Sequence, residues 1–155
     1  MVRTDPASAS TGIQTATVSR SHYFAALPAV LALALFWPFG GGKEIHMTAN
    51  SQVPAAHGVI HVKSTGDGNK QLEIKTRSLA KPAALTPPEQ VYVVWIQPSG
   101  QAPTNAGALK VDGNLNGDLT TVTPYKDFKV FITAENYAQL QQPSGMTVLS
   151  AHVSG

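Results

Sequence analysis

The chain has 155 residues, a formal net charge of +2, only 13% charged residues and no cysteine. That length allows one domain of ordinary size beside a targeting segment, and the lack of cysteine excludes disulfides, thiolate metal sites and cysteine nucleophiles. The nine basic residues after position 42 are dispersed among eight acidic ones, so the sequence shows no electrostatic footprint for nucleic acid.

The first predicted element is an apolar segment at residues 23–39, which contains no charged side chain. As a helix it would reach about 25 Å, which is short for a membrane span and long for the apolar part of a signal peptide. Pro38 and the small residues up to Gly42 favour a signal peptide that is cleaved near Gly42. The long polar leader at residues 1–22 and the aromatic residues that end the segment favour a retained signal-anchor. Both alternatives remain open.

The charges that flank the apolar segment predict its orientation. Arg3 and Arg20 precede it, whereas the charges just after it cancel. Residues 1–22 should therefore stay in the cytoplasm as a disordered leader, and the C-terminal domain should lie in the periplasm or outside the cell. Residues 40–56 contain Gly, Ser and Pro without periodicity, which predicts a linker.

Residues 57–155 contain seven β-rich runs separated by turn residues, which predicts an all-β domain. The runs are 58–64, 71–78, 91–97, 106–112, 119–123, 128–134 and 147–153. Their number and spacing favour an immunoglobulin-like antiparallel β-sandwich over a barrel, preceded by one N-terminal hydrophobic helix. Residues 91–96 are apolar throughout, so this run should be a central strand with Trp95 in the core. Residues 136–142 could form no more than a turn or two of helix.

The stretch from residue 91 to 153 also carries a recognisable pattern. An aromatic-rich strand at 92–96 is followed by Thr-Ala-Glu at 133–135, Pro-Ser-Gly at 143–145 and a closing apolar strand. This pattern resembles the extracytoplasmic domain of the anti-sigma-K factor family, except that Asn136 stands where the family usually has Pro. The resemblance implies a single-pass protein with a β-sandwich outside the membrane and a regulatory role.

One segment has the residue types of a calcium loop. Asp112, Asn114 and Asn116 place oxygen atoms at alternate positions, and Asp118 follows. The twelfth position is Thr123 instead of a bidentate Glu, and Asp-Gly and Asn-Gly pairs are typical of tight turns. A hairpin is therefore favoured over a metal site, and we expect no metal.

Two histidines alternate along the first predicted strand. His57 and His61 would share one face of that strand, where imidazoles could bind copper or zinc. Such a site needs a further ligand, and the sequence offers only Lys63 next on that face. We therefore expect exposed histidines here, as we do for His152 near the C-terminus.

Neither catalysis nor a cofactor is predicted. The chain has no Gly-x-Ser-x-Gly motif and no motif that fixes a nucleophile beside a base. Most aromatic residues fall within strands and should pack in the core, whereas Tyr125 and Tyr137 are flanked by turn residues and are candidates for surface contacts.

Together these features predict a non-enzymatic, membrane-tethered extracytoplasmic module that binds a protein partner and acts in regulation. A complete anti-sigma factor is one candidate partner. Residues 1–22 are too few for the sigma-binding helical domain that the anti-sigma-K family carries, so we expect no direct sigma binding. The alternative is a cleaved, secreted or periplasmic structural or ligand-binding β-sandwich with no role in transcription control.

Overall fold

The structure is a computed structural model that describes residues 42–155. It contains eight antiparallel strands and one short 3-10 helix at Pro82–Ala84. The strands are β1 Lys43–Ala49, β2 His57–Ser64, β3 Lys70–Arg77, β4 Val91–Pro98, β5 Thr104–Val111, β6 Gly117–Thr123, β7 Phe128–Glu135 and β8 Met146–Val153. The predicted leader and apolar helix lie outside the described residues. From residue 42 onward, no helix is long and apolar enough to cross a membrane.

The eight strands form a closed barrel in the order β1-β2-β3-β6-β5-β4-β7-β8. Strands β4 to β7 form a Greek key, because three hairpin-connected strands are followed by a fourth that returns beside the first. The predicted seven-strand sandwich is therefore wrong, although the all-β class is confirmed.

The two halves of the barrel join at two short seams, which explains why the strand patterns in the sequence did not predict a closed barrel. The halves β1-β2-β3-β6 and β5-β4-β7-β8 are each paired along most of their strands, but only two residue pairs join them at each seam. The pairs are Thr48 with Ser150 and Ala49 with Leu149 at one seam, and Lys110 with Asp118 and Val111 with Gly117 at the other. Alternation within a strand predicts which residues face inward, but it does not identify the strand that pairs at an edge.

The segment predicted as a linker contains the eighth strand. Strand β1 pairs with β2 through five residue pairs. Met47 is buried and Ile45 half-buried, whereas Glu44 and His46 on the opposite face are exposed. Residues 43–49, which were predicted to lie in the linker, thus belong to the barrel. The flanking Gly, Ser and Pro residues obscured this short alternation.

The barrel interior holds the main hydrophobic core. Strand β4 contributes Tyr92, Val94 and Ile96, and the other strands contribute mainly branched aliphatic residues. The hydroxyl of Tyr92 donates a hydrogen bond to the carbonyl of Ala80 at 2.7 Å. Burial raises the pKa of Tyr92 to about 12, so the phenol stays neutral and the buried hydroxyl is satisfied.

A second, smaller cluster lies on the outer face of the barrel. Val93, Trp95 and Phe131 are buried there, and Leu140 packs against them. Trp95 is fully buried, as predicted, but under the loop of residues 136–145 and not inside the barrel. Both faces of β4 are thus covered. The loop contains no helix.

Candidate functional site

The loop of residues 136–145, named here the β7–β8 loop, is attached to β7 by one buried carboxylate. Glu135, which is only 1% exposed, accepts four hydrogen bonds. Its Oε1 accepts from the Thr133 hydroxyl at 2.7 Å and the Ser144 amide at 3.0 Å. Its Oε2 accepts from the Ser144 hydroxyl at 2.6 Å and the Gly145 amide at 2.9 Å. Both oxygens are satisfied, so the buried charge stabilises the end of the loop.

The hydrogen bonds also set the ionisation of Glu135. Burial by itself raises the pKa of this carboxyl, but the donors on Ser144, Thr133 and Gly145 together lower it below its ordinary value. The carboxylate is therefore ionised at neutral pH. Because the indole of Trp95 donates to the Thr133 hydroxyl at 2.8 Å, the network links the outer cluster to the loop.

A side chain from β5 holds the other part of the loop. The amide nitrogen of Asn105 donates to the carbonyls of Ala138 at 2.9 Å and Leu140 at 3.0 Å, and its Oδ1 accepts from the Gly107 amide at 2.9 Å. Gly107 has a φ of 132°, which L side chains rarely adopt. An added Cβ at this position would lie only 3.3 Å from Leu119. The loop is thus fixed by Asn105 as well as by Glu135.

A cleft of about 640 Å³ lies between β5 and the β7–β8 loop. Its side-chain lining is small, polar or aliphatic, and comprises Pro103, Thr104, Asn105, Gly107, Ala108, Ala138, Gln139, Leu140 and Gln141. No ionisable side chain belongs to it. The cleft therefore offers hydrogen-bonding groups and apolar surface for binding, but no acid, base or charged group for catalysis.

The two tyrosines selected from the sequence occupy different environments. Tyr137 lies in the β7–β8 loop, next to the cleft residue Ala138, and is 72% exposed. Tyr125 is half-buried and packs against the barrel core. Tyr137 is thus exposed on the β7–β8 loop without lining the cleft, whereas Tyr125 is directed towards the core.

The calcium-like segment forms the hairpin between β5 and β6. The Oδ1 atom of Asp112 accepts from the amides of Asn114 at 2.8 Å and Asn116 at 2.9 Å. Leu115 takes the positive φ of 63° in this turn. Asp118 lies in β6, opposite Lys110. The hairpin prediction is therefore confirmed, and the first aspartate serves the turn.

The histidines face a carboxylate that sequence reasoning missed. The carboxylate of Glu44 lies 3.6 Å from His46, two residues along β1, and, because β1 pairs with β2, 3.6 Å from His61 as well. His57 is the first residue of β2 and is exposed. His152 is 2.7 Å from Asp127. Between residues 42 and 155, no three His, Asp or Glu side chains are grouped so that they could hold a metal ion.

The contact between Ser144 and Glu135 does not form a catalytic arrangement. The serine hydroxyl donates directly to the carboxylate, and no imidazole takes part in this network. A serine nucleophile needs a base that accepts its proton and can pass it on. A low-pKa carboxylate saturated by four donors is poorly suited to that role, so the contact is structural.

Comparison with protein-family models gives no match for this chain, and comparison with curated proteins gives none either.

Proposed function

We propose that this protein is a non-enzymatic, membrane-tethered extracytoplasmic module that binds a protein partner. Residues 23–39 provide the tether, and the cleft beside the β7–β8 loop provides the binding surface. The observation that carries the proposal is the exposure of Tyr137 on a loop that is fixed near its middle and at its C-terminal end. An exposed tyrosine on a rigid support is typical of protein-binding surfaces.

The loop supports this proposal because it is ordered before any partner arrives. Glu135 holds its C-terminal part, and Asn105 holds the carbonyls of Ala138 and Leu140 near its middle. A loop that is already fixed loses less conformational entropy on binding than a flexible one. Tyrosine adds a large contact area with few rotatable bonds.

The absence of charge in the cleft supports a binding role over a reaction. The described cleft has no group that could take up or release a proton near neutral pH. The carboxylate that lies nearest to the cleft residues in the sequence, that of Glu135, is buried and saturated by hydrogen bonds. Amides and hydroxyls instead suit the main chain and polar side chains of another protein.

A regulatory role rests on the resemblance to the anti-sigma-K outer domain. The residues at 133–135 and 143–145 that carry this resemblance meet in the Glu135 hydrogen-bond network. These residues therefore fix the loop beside the proposed binding surface, which is a structural role for the sequence pattern. In this proposal, a complete anti-sigma factor is the candidate partner, bound laterally by the outer domain.

Affinity capture from solubilised membranes tests the proposal. The full chain should retain a specific protein, and Tyr137→Ala should weaken that capture by about tenfold or more, as expected for an interface anchor. Val122→Ala is the matched control, because Val122 is also exposed but lies on β6. Capture that is equal for wild type, Tyr137→Ala and Val122→Ala would contradict the assigned surface.

A second candidate function is a released periplasmic or secreted binding protein. The position of β1 favours it, since the strand begins at Lys43, directly after the predicted cleavage position at Gly42. Cleavage there would leave the whole barrel intact. Mass spectrometry of the protein from its native host distinguishes the two, because the released form would begin near Lys43 and the tethered form would retain residues 23–39.

A further inference from the structure

One end of the barrel gathers lysines that are far apart in the sequence. Lys43 begins β1, Lys63 is the penultimate residue of β2, and Lys70 begins β3. Because neighbouring strands run antiparallel, the start of β1, the end of β2 and the start of β3 meet at one end. The three lysines are dispersed along the sequence, but the fold brings their charges together at one end of the barrel.

These three lysines line one pocket of about 520 Å³ together with Ser64 and Ser154. Val62 and Gly155 complete the lining, and it contains no acidic side chain. The ammonium of Lys43 donates to the hydroxyl and carbonyl oxygens of Ser154, both at 3.1 Å. The pocket therefore combines three positive charges with two hydroxyl groups.

Among the described residues, none of the three lysines forms an ion pair. Three acids lie close to these lysines in sequence, and each has other partners. Glu44 contacts His46 and His61, and Asp67 accepts hydrogen bonds from Thr65 and Asn69 within its own turn. Glu73 pairs with Lys75, although the charge of Lys63 also helps to lower its pKa. Three like charges that line one pocket, with no acidic side chain in its lining, raise the local positive potential. Such a pocket attracts an anion.

We propose that this pocket binds the phosphate group of an anionic membrane phospholipid. Ammonium groups and serine hydroxyls are donors, and phosphate oxygens are strong acceptors. The pocket has the size of a small-molecule site, and its lysines come from three strands instead of a flexible tail. The bound group is therefore a phosphate. Two molecules carry such a group, a phospholipid headgroup and free inorganic phosphate.

The covalent chain favours the lipid as the source. Lys43 lies four residues after Phe39, the last residue of the predicted membrane segment. Four residues span at most about 14 Å when fully extended. If residues 23–39 form the tether, as the proposed function holds, the start of β1 cannot lie far from the lipid headgroups. Basic residues in such positions attract anionic lipids.

Binding to short-chain phosphatidylglycerol, with the full chain in neutral detergent, tests the inference directly. Short-chain phosphatidylcholine and inorganic phosphate serve as parallel ligands at equal ionic strength. We expect phosphatidylglycerol to raise the melting temperature, since a ligand that binds only the folded state stabilises it. Lys43→Gln, Lys63→Gln and Lys70→Gln should each weaken its binding by about fivefold.

The controls separate loss of the site from loss of the fold. Lys81→Gln is the matched control, because Lys81 is exposed and lies outside the pocket. If Lys43→Gln weakens the fold by losing its bonds to Ser154, Lys63→Gln still tests the site, since Lys63 makes no side-chain hydrogen bond to a described residue. No binding of either phosphatidylglycerol or phosphate, or equal binding by wild type and the three pocket variants, would overturn the site.

Binding of inorganic phosphate without phosphatidylglycerol would overturn the lipid as the source. Carbonate extraction of native membranes tests the tether separately. A chain that is extracted by carbonate yet binds phosphatidylglycerol through the three lysines would contradict the tether of the proposed function and leave the pocket in place.

Discussion

Glu135 is the residue that connects the barrel to its candidate binding surface. Its carboxylate is buried, yet both oxygens are satisfied by donors from β7 and from the end of the β7–β8 loop. A buried charge is costly without such partners and stabilising with them. Sequence reasoning did not predict this contact, because residues 133–135 and 143–145 meet only through the folding of the β7–β8 loop.

Replacing Glu135 by Ala should destabilise the domain by about 3 kcal/mol. The change leaves the amides of Ser144 and Gly145 and the hydroxyl of Thr133 without their acceptor, and unsatisfied buried donors are costly. Urea unfolding followed by circular dichroism measures the effect. Glu73→Ala is the control, because Glu73 is partly exposed and its one ion pair within residues 42–155 is with Lys75. Equal losses for the two variants would contradict the role assigned to Glu135.

The pH dependence of stability provides an independent test of the same carboxylate. Because the pKa of Glu135 is lowered from 4.5 in the folded state, its contribution is fully present above about pH 4.5. That contribution is lost as the pH falls through the lowered pKa. Glu135→Gln should therefore lose less stability than wild type between pH 5 and the acid transition, as measured by urea midpoints. Parallel pH curves for the two proteins would count against this explanation.

Trp95 tests the outer cluster. Replacement by Ala should cost about 3–5 kcal/mol, since Trp95 is fully buried and stacks with Phe131 at a ring-centroid distance of 6.4 Å. That loss is enough to unfold a small domain. Trp95→Phe should cost less, because it keeps an aromatic ring and loses only part of the side-chain volume together with the bond to Thr133. A Trp95→Ala variant that unfolds cooperatively at the wild-type temperature would show that the outer cluster contributes little.

At the scale of single elements, local patterns predicted the strands well. All seven predicted runs are strands, and the predicted turn lies between β5 and β6. Its positive φ falls on Leu115, however, and not on a glycine of the Asp-Gly or Asn-Gly pair. Strand β1 was missed because its alternation is short and lies within a Gly-, Ser- and Pro-containing segment. The predicted turn of helix after β7 is an irregular loop, since its order comes from Asn105 and Glu135 and not from helical hydrogen bonds.

Calcium should leave the stability of the hairpin and of the whole domain unchanged. The first candidate ligand, Asp112, uses one carboxylate oxygen to accept the amides of Asn114 and Asn116. A ligand that binds only the folded state must raise the melting temperature, so thermal unfolding with calcium and with chelator is a direct measurement. A chelator-reversible increase that Asp112→Ala abolishes would show that the hairpin is a cation site.

At the scale of the whole molecule, the closure of the barrel and the charge cluster arise from tertiary contacts. The seams depend on two residue pairs each, which no local pattern specifies. The same arrangement gathers Lys43, Lys63 and Lys70 at one end and places Glu44 between His46 and His61. Sequence periodicity predicted the faces of the strands, whereas these neighbours depend on the order of the strands around the barrel.

We propose that the surface beside the β7–β8 loop contacts a protein partner. Site-specific photo-cross-linking of the full chain in its native host tests it most directly, with a photoreactive amino acid at position 137 or, as control, at the exposed position 122 on β6. We predict one discrete protein adduct from position 137 and none from position 122. Absence of an adduct at position 137, or the same adducts from both positions, would contradict the claim.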